Sequence, residues 1–140
     1  MYLGIDYGRK RIGLALGEVI PKPFGILENK NSASNLKEIT EICNKNDVDS
    51  IVVGLPKHTD GSLGDLVPEI KEFGTMLSDF SGRKVEYEDE QYSSVEVERV
   101  INVDLAMSAR KRKKKREKLD SIAAALILSQ YIESKGRQDY

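Results

Sequence analysis

"SIVVGLP", residues 50–56, is an unbroken apolar run rich in β-branched residues and closed by Gly-Leu-Pro. A strand with no polar side has nothing to offer water, so it belongs between layers of helix in the interior of an α/β sheet. The rest of the chain has to supply its neighbours. On the N-terminal side, Leu3 and Ile5, then Ile12, Leu14 and Leu16, fall at alternating positions around Gly-Arg-Lys, which predicts a hairpin of strands over 2–7 and 11–17. A third strand is expected over Phe24 to Glu28 after "PKP", whose prolines suit a sheet edge or a connection. From Asn31 to Asn46 the period changes, with Leu36, Ile39 and Cys43 at helical spacing, so Cys43 is expected in a buried wall.

Beyond the central run, Asp65 can cap a helix whose stripe is Leu66, Ile70, Phe73 and Leu77, with Pro68 still in its first turn. "RKVEYEDE" reads as another strand. Ser93 and Glu96 form a capping box for a helix burying Val97, Val100 and Ile101. Leu119 to Ile132 is apolar on most faces, hence a helix packed in the middle of the fold. The order βββαβαβαα implies one domain over residues 1–140, of the α/β class: a mixed sheet of five strands with helices on both faces.

Several function classes drop out. The longest apolar run, Ile122 to Leu128, is far short of the ~20 residues that span a bilayer, and Met1 leads directly into a strand pattern, so a cytoplasmic protein without a membrane partner is expected. One cysteine and one histidine, His58, exclude an internal disulfide and a His/Cys metal cluster, leaving oxygen as the main donor to any metal. The net charge of −1 conceals a division: residues 108–118 carry +7, and the remainder −8. Arg110, Lys111, Arg112, Lys113, Lys114, Lys115, Arg116 and Lys118 therefore read as a phosphate-binding arm, with a solvated loop as the plainer alternative.

Acids stand at three places along the chain that could converge on one site, the first of them where an α/β sheet presents its functional edge. Asp6 lies near the end of the first strand and points opposite to Leu3 and Ile5. Asp89 and Glu90 lie where a later strand meets a helix, while Glu86 and Glu88 read as ordinary surface acids. Asp120 opens the late apolar helix, where it can equally complement the helix dipole. Converging carboxylates from three separate elements would suit one or two Mg²⁺ or Mn²⁺ ions, which orient phosphate esters for in-line displacement. The Gly-rich stretch "GLPKHTDGSLG" adds Lys57 and His58 as possible contacts to phosphate or water.

"GIDYGRKRIGLALGE", "IVVGLPKHTDGSLG", "DEQYSSVEVERV" and "LDSIAAALILSQYI" together resemble, in order and over nearly the whole chain, the YqgF/RuvX family of Holliday-junction-resolvase-like proteins. The resemblance implies a ribonuclease-H-like fold and a metal-dependent nuclease that finishes the 5′ end of precursor 16S ribosomal RNA. By position, Asp6 matches the family's first-strand aspartate, Asp89 and Glu90 its Asp-Glu-Arg motif, and Asp120 the aspartate before the alanine-rich helix. There are departures: Gln91 stands where the family has arginine, and Ala123 where related RuvC resolvases add a second aspartate. Ile51 to Pro56 also lacks the acid those resolvases draw from the fourth strand. The expected catalytic and metal-holding set is Asp6, Glu90 or Asp89, and Asp120, with Glu90 favoured because strand parity groups Asp89 with Val85 and Tyr87. The expected partner is RNA, with branched DNA and a ribosomal precursor particle as further expectations. A resolvase, a non-catalytic RNA-binding assembly factor, and an actin-like ATPase suggested by "DYGRKRIGLAL" are the competing readings; 140 residues supply only one lobe of such an ATPase.

Overall fold

The computed structural model describes residues 1–56, 66–89 and 109–138. Its five strands are β1 (Tyr2–Tyr7), β2 (Arg11–Gly17), β3 (Lys22–Glu28), β4 (Ser50–Leu55) and β5 (Lys84–Asp89). The helices are α1 (Ser32–Lys45), α2 (Leu66–Ser81) and α3 (Ala109–Gln138). The sheet order is β3-β2-β1-β4-β5, antiparallel through the N-terminal meander and parallel from β1 to β4 to β5. β4 has a neighbour on each side and covered faces, as its apolar sequence requires: Ile51, Val52 and Val53 are wholly buried.

β3 begins at Lys22, two residues earlier than the sequence pattern suggests, and takes in Pro23. Proline gives no N–H to a ladder, and the strand accommodates it by lying at the edge with a register shift opposite Leu14 and Ala15. Asn31 caps α1, its side chain accepting from the Ser34 N–H at 2.9 Å. Gly82 follows α2 with a φ of +69°, the left-handed conformation that glycine enters without a Cβ penalty.

Strand parity divides the sheet into two unlike faces. Leu3, Ile5, Ile12, Leu14, Ile51 and Val53 point toward α1 and α2, where Leu36, Ile39, Cys43, Ile70, Phe73 and Leu77 complete one continuous apolar cluster. Cys43 is fully buried there, as its spacing predicts. The opposite face is covered by α3, and here the sheet offers small residues. A Cβ on Gly4 would stand 2.8 Å from the Ala124 carbonyl oxygen and 2.9 Å from the Leu128 Cβ, so the helix backbone rests almost on the strand. Val52, Ile127 and Leu128 form a second, smaller core beneath it, flanked by Tyr2, Tyr131 and Ile132.

α3 differs most from the sequence expectation. The helix begins at Ala109, ten residues before Leu119, and takes in the whole basic segment. Arginine and lysine are good helix formers that leave no apolar stripe, so periodicity alone is blind to them. Asp120 therefore lies inside a helix, past the first turn, and the reading of it as a dipole-complementing residue at a helix start is overturned. The 30 residues of α3 extend about 45 Å, against about 20 Å for the strands they cross. The predicted helix after Ser93, together with Asp65, Lys57 and His58, lies outside the described residues.

Candidate active site

Asp6 is the last residue but one of β1 and pairs across the ladder with Gly13 of β2. Directly paired residues of antiparallel strands share a face, so Asp6 stands on the α3 side, as its alternation with Leu3 and Ile5 predicts. Gly13 is where α3 comes down on the sheet: a Cβ there would overlap the carbonyl oxygen of Asp120. Gly13 therefore brings the backbone of Asp120 beside Asp6, uniting two of the predicted acids across more than a hundred residues of sequence.

Arg11, two residues before Gly13 and on the same face, holds the Asp120 carboxylate, its Nε donating to Oδ2 at 2.7 Å. The length is that of a charge-assisted hydrogen bond, and both side chains are about 70% covered, which limits screening. Sequence reasoning passed over Arg11. Its two-residue spacing from Gly13, with Asp6 opposite, carried the signal.

The third predicted position divides. Asp89 ends β5, exposed, on the parity of Val85 and Tyr87. Tyr87 packs against Gly74 of α2 and donates to the Lys71 carbonyl at 3.2 Å, so its side of the strand is the α2 side. The sheet thus separates Asp89 from Asp6. Glu90 lies outside the described residues. Two acids of β5, Glu86 and Glu88, do share Asp6's face, and Glu88 is the nearer to the end of that strand, set beside Gly54 of β4. Carrying the β1–β4 register one residue past Ile5–Val53 puts Asp6 beside the same Gly54, so Glu88 stands two strand spacings, roughly 10 Å, from Asp6. Glu88 is half-buried, and its carboxyl is raised above the ordinary 4.5, first by burial and second by the charge of Asp89. It is no ordinary surface acid; counting by two from Tyr2 of β1 and Glu86 of β5 would have grouped it with Asp6. Glu86 accepts a hydrogen bond from the Tyr131 hydroxyl of α3, which marks the same face further back along the strand.

Among the described residues no three His, Cys, Asp or Glu side chains gather as a metal-holding group. Asp6 and Asp120 are hard oxygen donors on one face, and Mg²⁺ is commonly held by one or two carboxylates with substrate phosphates and water completing its shell. In that respect the donor set fits a magnesium-type ion. All the basic residues of 110–118 precede Asp120 on the same helix, with Arg110, Lys111, Lys113, Lys114 and Lys118 exposed.

A mixed five-stranded sheet with a long helix laid across one face is the architecture of the ribonuclease-H-like fold. Thermus thermophilus RuvC in complex with a Holliday junction substrate superposes on this chain with a TM-score of 0.55, covering 95% of it and 93% of RuvC at 11% identity. Sequence comparison is narrower. The RuvX family model, described as Holliday junction resolvase, matches residues 1–134, and the chain belongs to that family. A protein of Burkholderia vietnamiensis named "Putative pre-16S rRNA nuclease" is 36% identical over 135 residues, covering 94% of this chain and 88% of its own length. One of the same name from Caldanaerobacter subterraneus subsp. tengcongensis is 35% identical over 136 residues, covering 95% and 96%. These relationships mark the chain as a nuclease-family hydrolase.

Proposed function

We propose that this protein is a metal-dependent nuclease that hydrolyses phosphodiester bonds in ribosomal precursor RNA, trimming the 5′ end of pre-16S rRNA in the cytoplasm. The observation that carries the reading is the meeting of Asp6 and Asp120 on one side of Gly13, in a family whose curated members bear that name. Asp6, Asp120 and Glu90 would hold Mg²⁺ or Mn²⁺, which when bound supplies Lewis-acid assistance to attack by water on phosphorus. Each protein group has a separate task. Gly13 sets the depth at which α3 rests, Arg11 orients the Asp120 carboxylate, and basic residues within 110–118 hold the phosphate backbone. No described helix is long and apolar enough to cross a membrane, which is compatible with action on ribosomal precursor particles.

The test is cleavage of a 5′-extended 16S precursor and of a four-way DNA junction, by wild type and Asp6→Asn, with Mg²⁺ or Mn²⁺ and with chelator. Wild type with metal should trim the RNA. Asp6→Asn should lose at least about a hundredfold, the scale on which removing one charge-stabilising group acts. Equal cleavage by the two proteins refutes this site; cleavage of the junction alone favours a resolvase; and binding without cleavage, unaffected by chelator, favours an assembly factor.

A further inference from the structure

The eight basic residues of the α3 segment are not equivalent once the helix is in place. A residue and the one about five turns further on point the same way from a straight α-helix. Arg110, Lys113 and Lys114 thus share the directions of Leu128, Tyr131 and Ile132. Those three are the inner face of α3: Leu128 is fully buried, and Tyr131 and Ile132 pack on the core around Val52. The side that is apolar and covered over the sheet is therefore basic and exposed in the first turns, where Arg110, Lys113 and Lys114 are all open to solvent. Lys111, Lys115 and Lys118 point to another side of the helix.

A solubility device has no reason to put charge on the inner side of an overhanging helix. Glu117, one turn on from Lys113 and Lys114, is an acid on that same side, yet Arg110, Lys113 and Lys114 form no ion pair among the described residues. Cations so placed at a helix N-terminus act against the macrodipole and repel one another, a cost that a bound polyanion removes. Along the axis, Arg110 lies about 15 Å from Asp120, a span suited to a few nucleotides of one strand.

We propose that the inner face of the α3 overhang is one wall of a nucleic-acid groove, in which Arg110, Lys113 and Lys114 hold phosphates on one side only of the bond presented to Asp6 and Asp120. The position of that bond rests on the nuclease reading; the groove itself does not.

The experiment measures binding of a labelled single-stranded RNA, by fluorescence anisotropy in chelator, across a salt series. Three proteins are compared: wild type; R110Q/K113Q/K114Q; and K37Q/K45Q/K71Q, which removes equal charge from α1 and α2 on the far side of the sheet. Glutamine preserves helix propensity, and a charge-keeping R110K/K113R/K114R variant separates charge from packing. Each lost phosphate contact lowers the slope of log K against log salt by about 0.7, so the inner triple should lower it by about 2 and weaken binding at least tenfold. The far-side triple and the charge-keeping variant should match wild type. An unchanged slope in the inner triple, an equal loss in the far-side triple, or a comparable loss in the charge-keeping variant overturns the groove. If wild type cuts RNA but the inner triple keeps its slope, the groove falls and the nuclease stands. If the slope drops but wild type never cuts, the nuclease reading falls and the groove stands. If wild type binds no RNA, both fall.

Discussion

Against α1 and α2 the sheet presents Leu3, Ile5, Ile12, Leu14, Ile51 and Val53; against α3 it presents Gly4, Asp6, Gly13, Ala15 and Val52. The first face works by volume. Large side chains interdigitate, and their burial at about 25 cal/mol per Å² is the main source of stability. The second works by absence of volume, since glycines let a helix backbone sit where side chains would stand, and that closeness brings Asp120 to Asp6. Folding strength and site geometry are therefore assigned to opposite sides of one sheet, and substitutions on the two sides should have different consequences.

The largest expected effect on stability is on the first side. Leu77 of α2 is wholly buried, so Leu77→Ala should cost about 3 kcal/mol, within the range for leucine truncation in a core. Urea unfolding reads that loss, and cleavage per folded molecule should remain near wild type. A parallel fall in specific activity would show that the two sides are not separable.

Gly13→Ala probes the other side. The new methyl overlaps the Asp120 carbonyl, and because that atom is helix backbone, α3 has to shift. Overpacking of this kind costs about 1–3 kcal/mol, no more than Leu77→Ala. Catalysis should suffer more, because moving Asp120 breaks its alignment with Asp6 and strains the 2.7 Å bond to Arg11. The check is a pair of measurements on one sample, urea stability and cleavage rate. Gly13→Ala with activity intact would separate the glycine contact from the site.

How much of this was legible in sequence follows from what each feature depends on. The face of Asp6, the burial of Cys43 and the central position of β4 depend on local period, and local period is written in the chain. The start of α3 was illegible because Arg110 to Lys118 satisfies helix propensity without any apolar stripe to mark it. For the same reason Asp120 reads as a helix start, where the structure has the middle of α3. The partnership of Arg11 with Asp120 is tertiary, made by a helix crossing strands from the far end of the chain. A partial signal existed in Gly4 and Gly13, small residues on the same parity as Asp6, which together announce close approach by another backbone. Glu88 is within reach of the parity argument, although its acidic neighbours make it read as a surface acid.

The smallest effect tests how dry the first side is. The Cys43 thiol is pushed up from 9.0 to about 11, chiefly by burial, with Arg83 acting weakly the other way. The native chain thus keeps this proton at pH values where the unfolded chain has begun to lose it. With more protons on the native state than on the unfolded, stability falls as pH rises from about 9 toward 11. Near pH 7 the thiol is protonated in both states, and Cys43→Ala should cost about 1 kcal/mol for the small cavity it leaves. At pH 10 the wild type alone bears an ionisation penalty of about 1 kcal/mol, so the difference between the two proteins should shrink toward zero. Urea unfolding at pH 7 and pH 10 reads both values. A constant difference would mean that the thiol ionises as easily inside the protein as outside, which a dry α1/α2 layer does not allow, and the contrast between the two sides of the sheet would lose its electrostatic support.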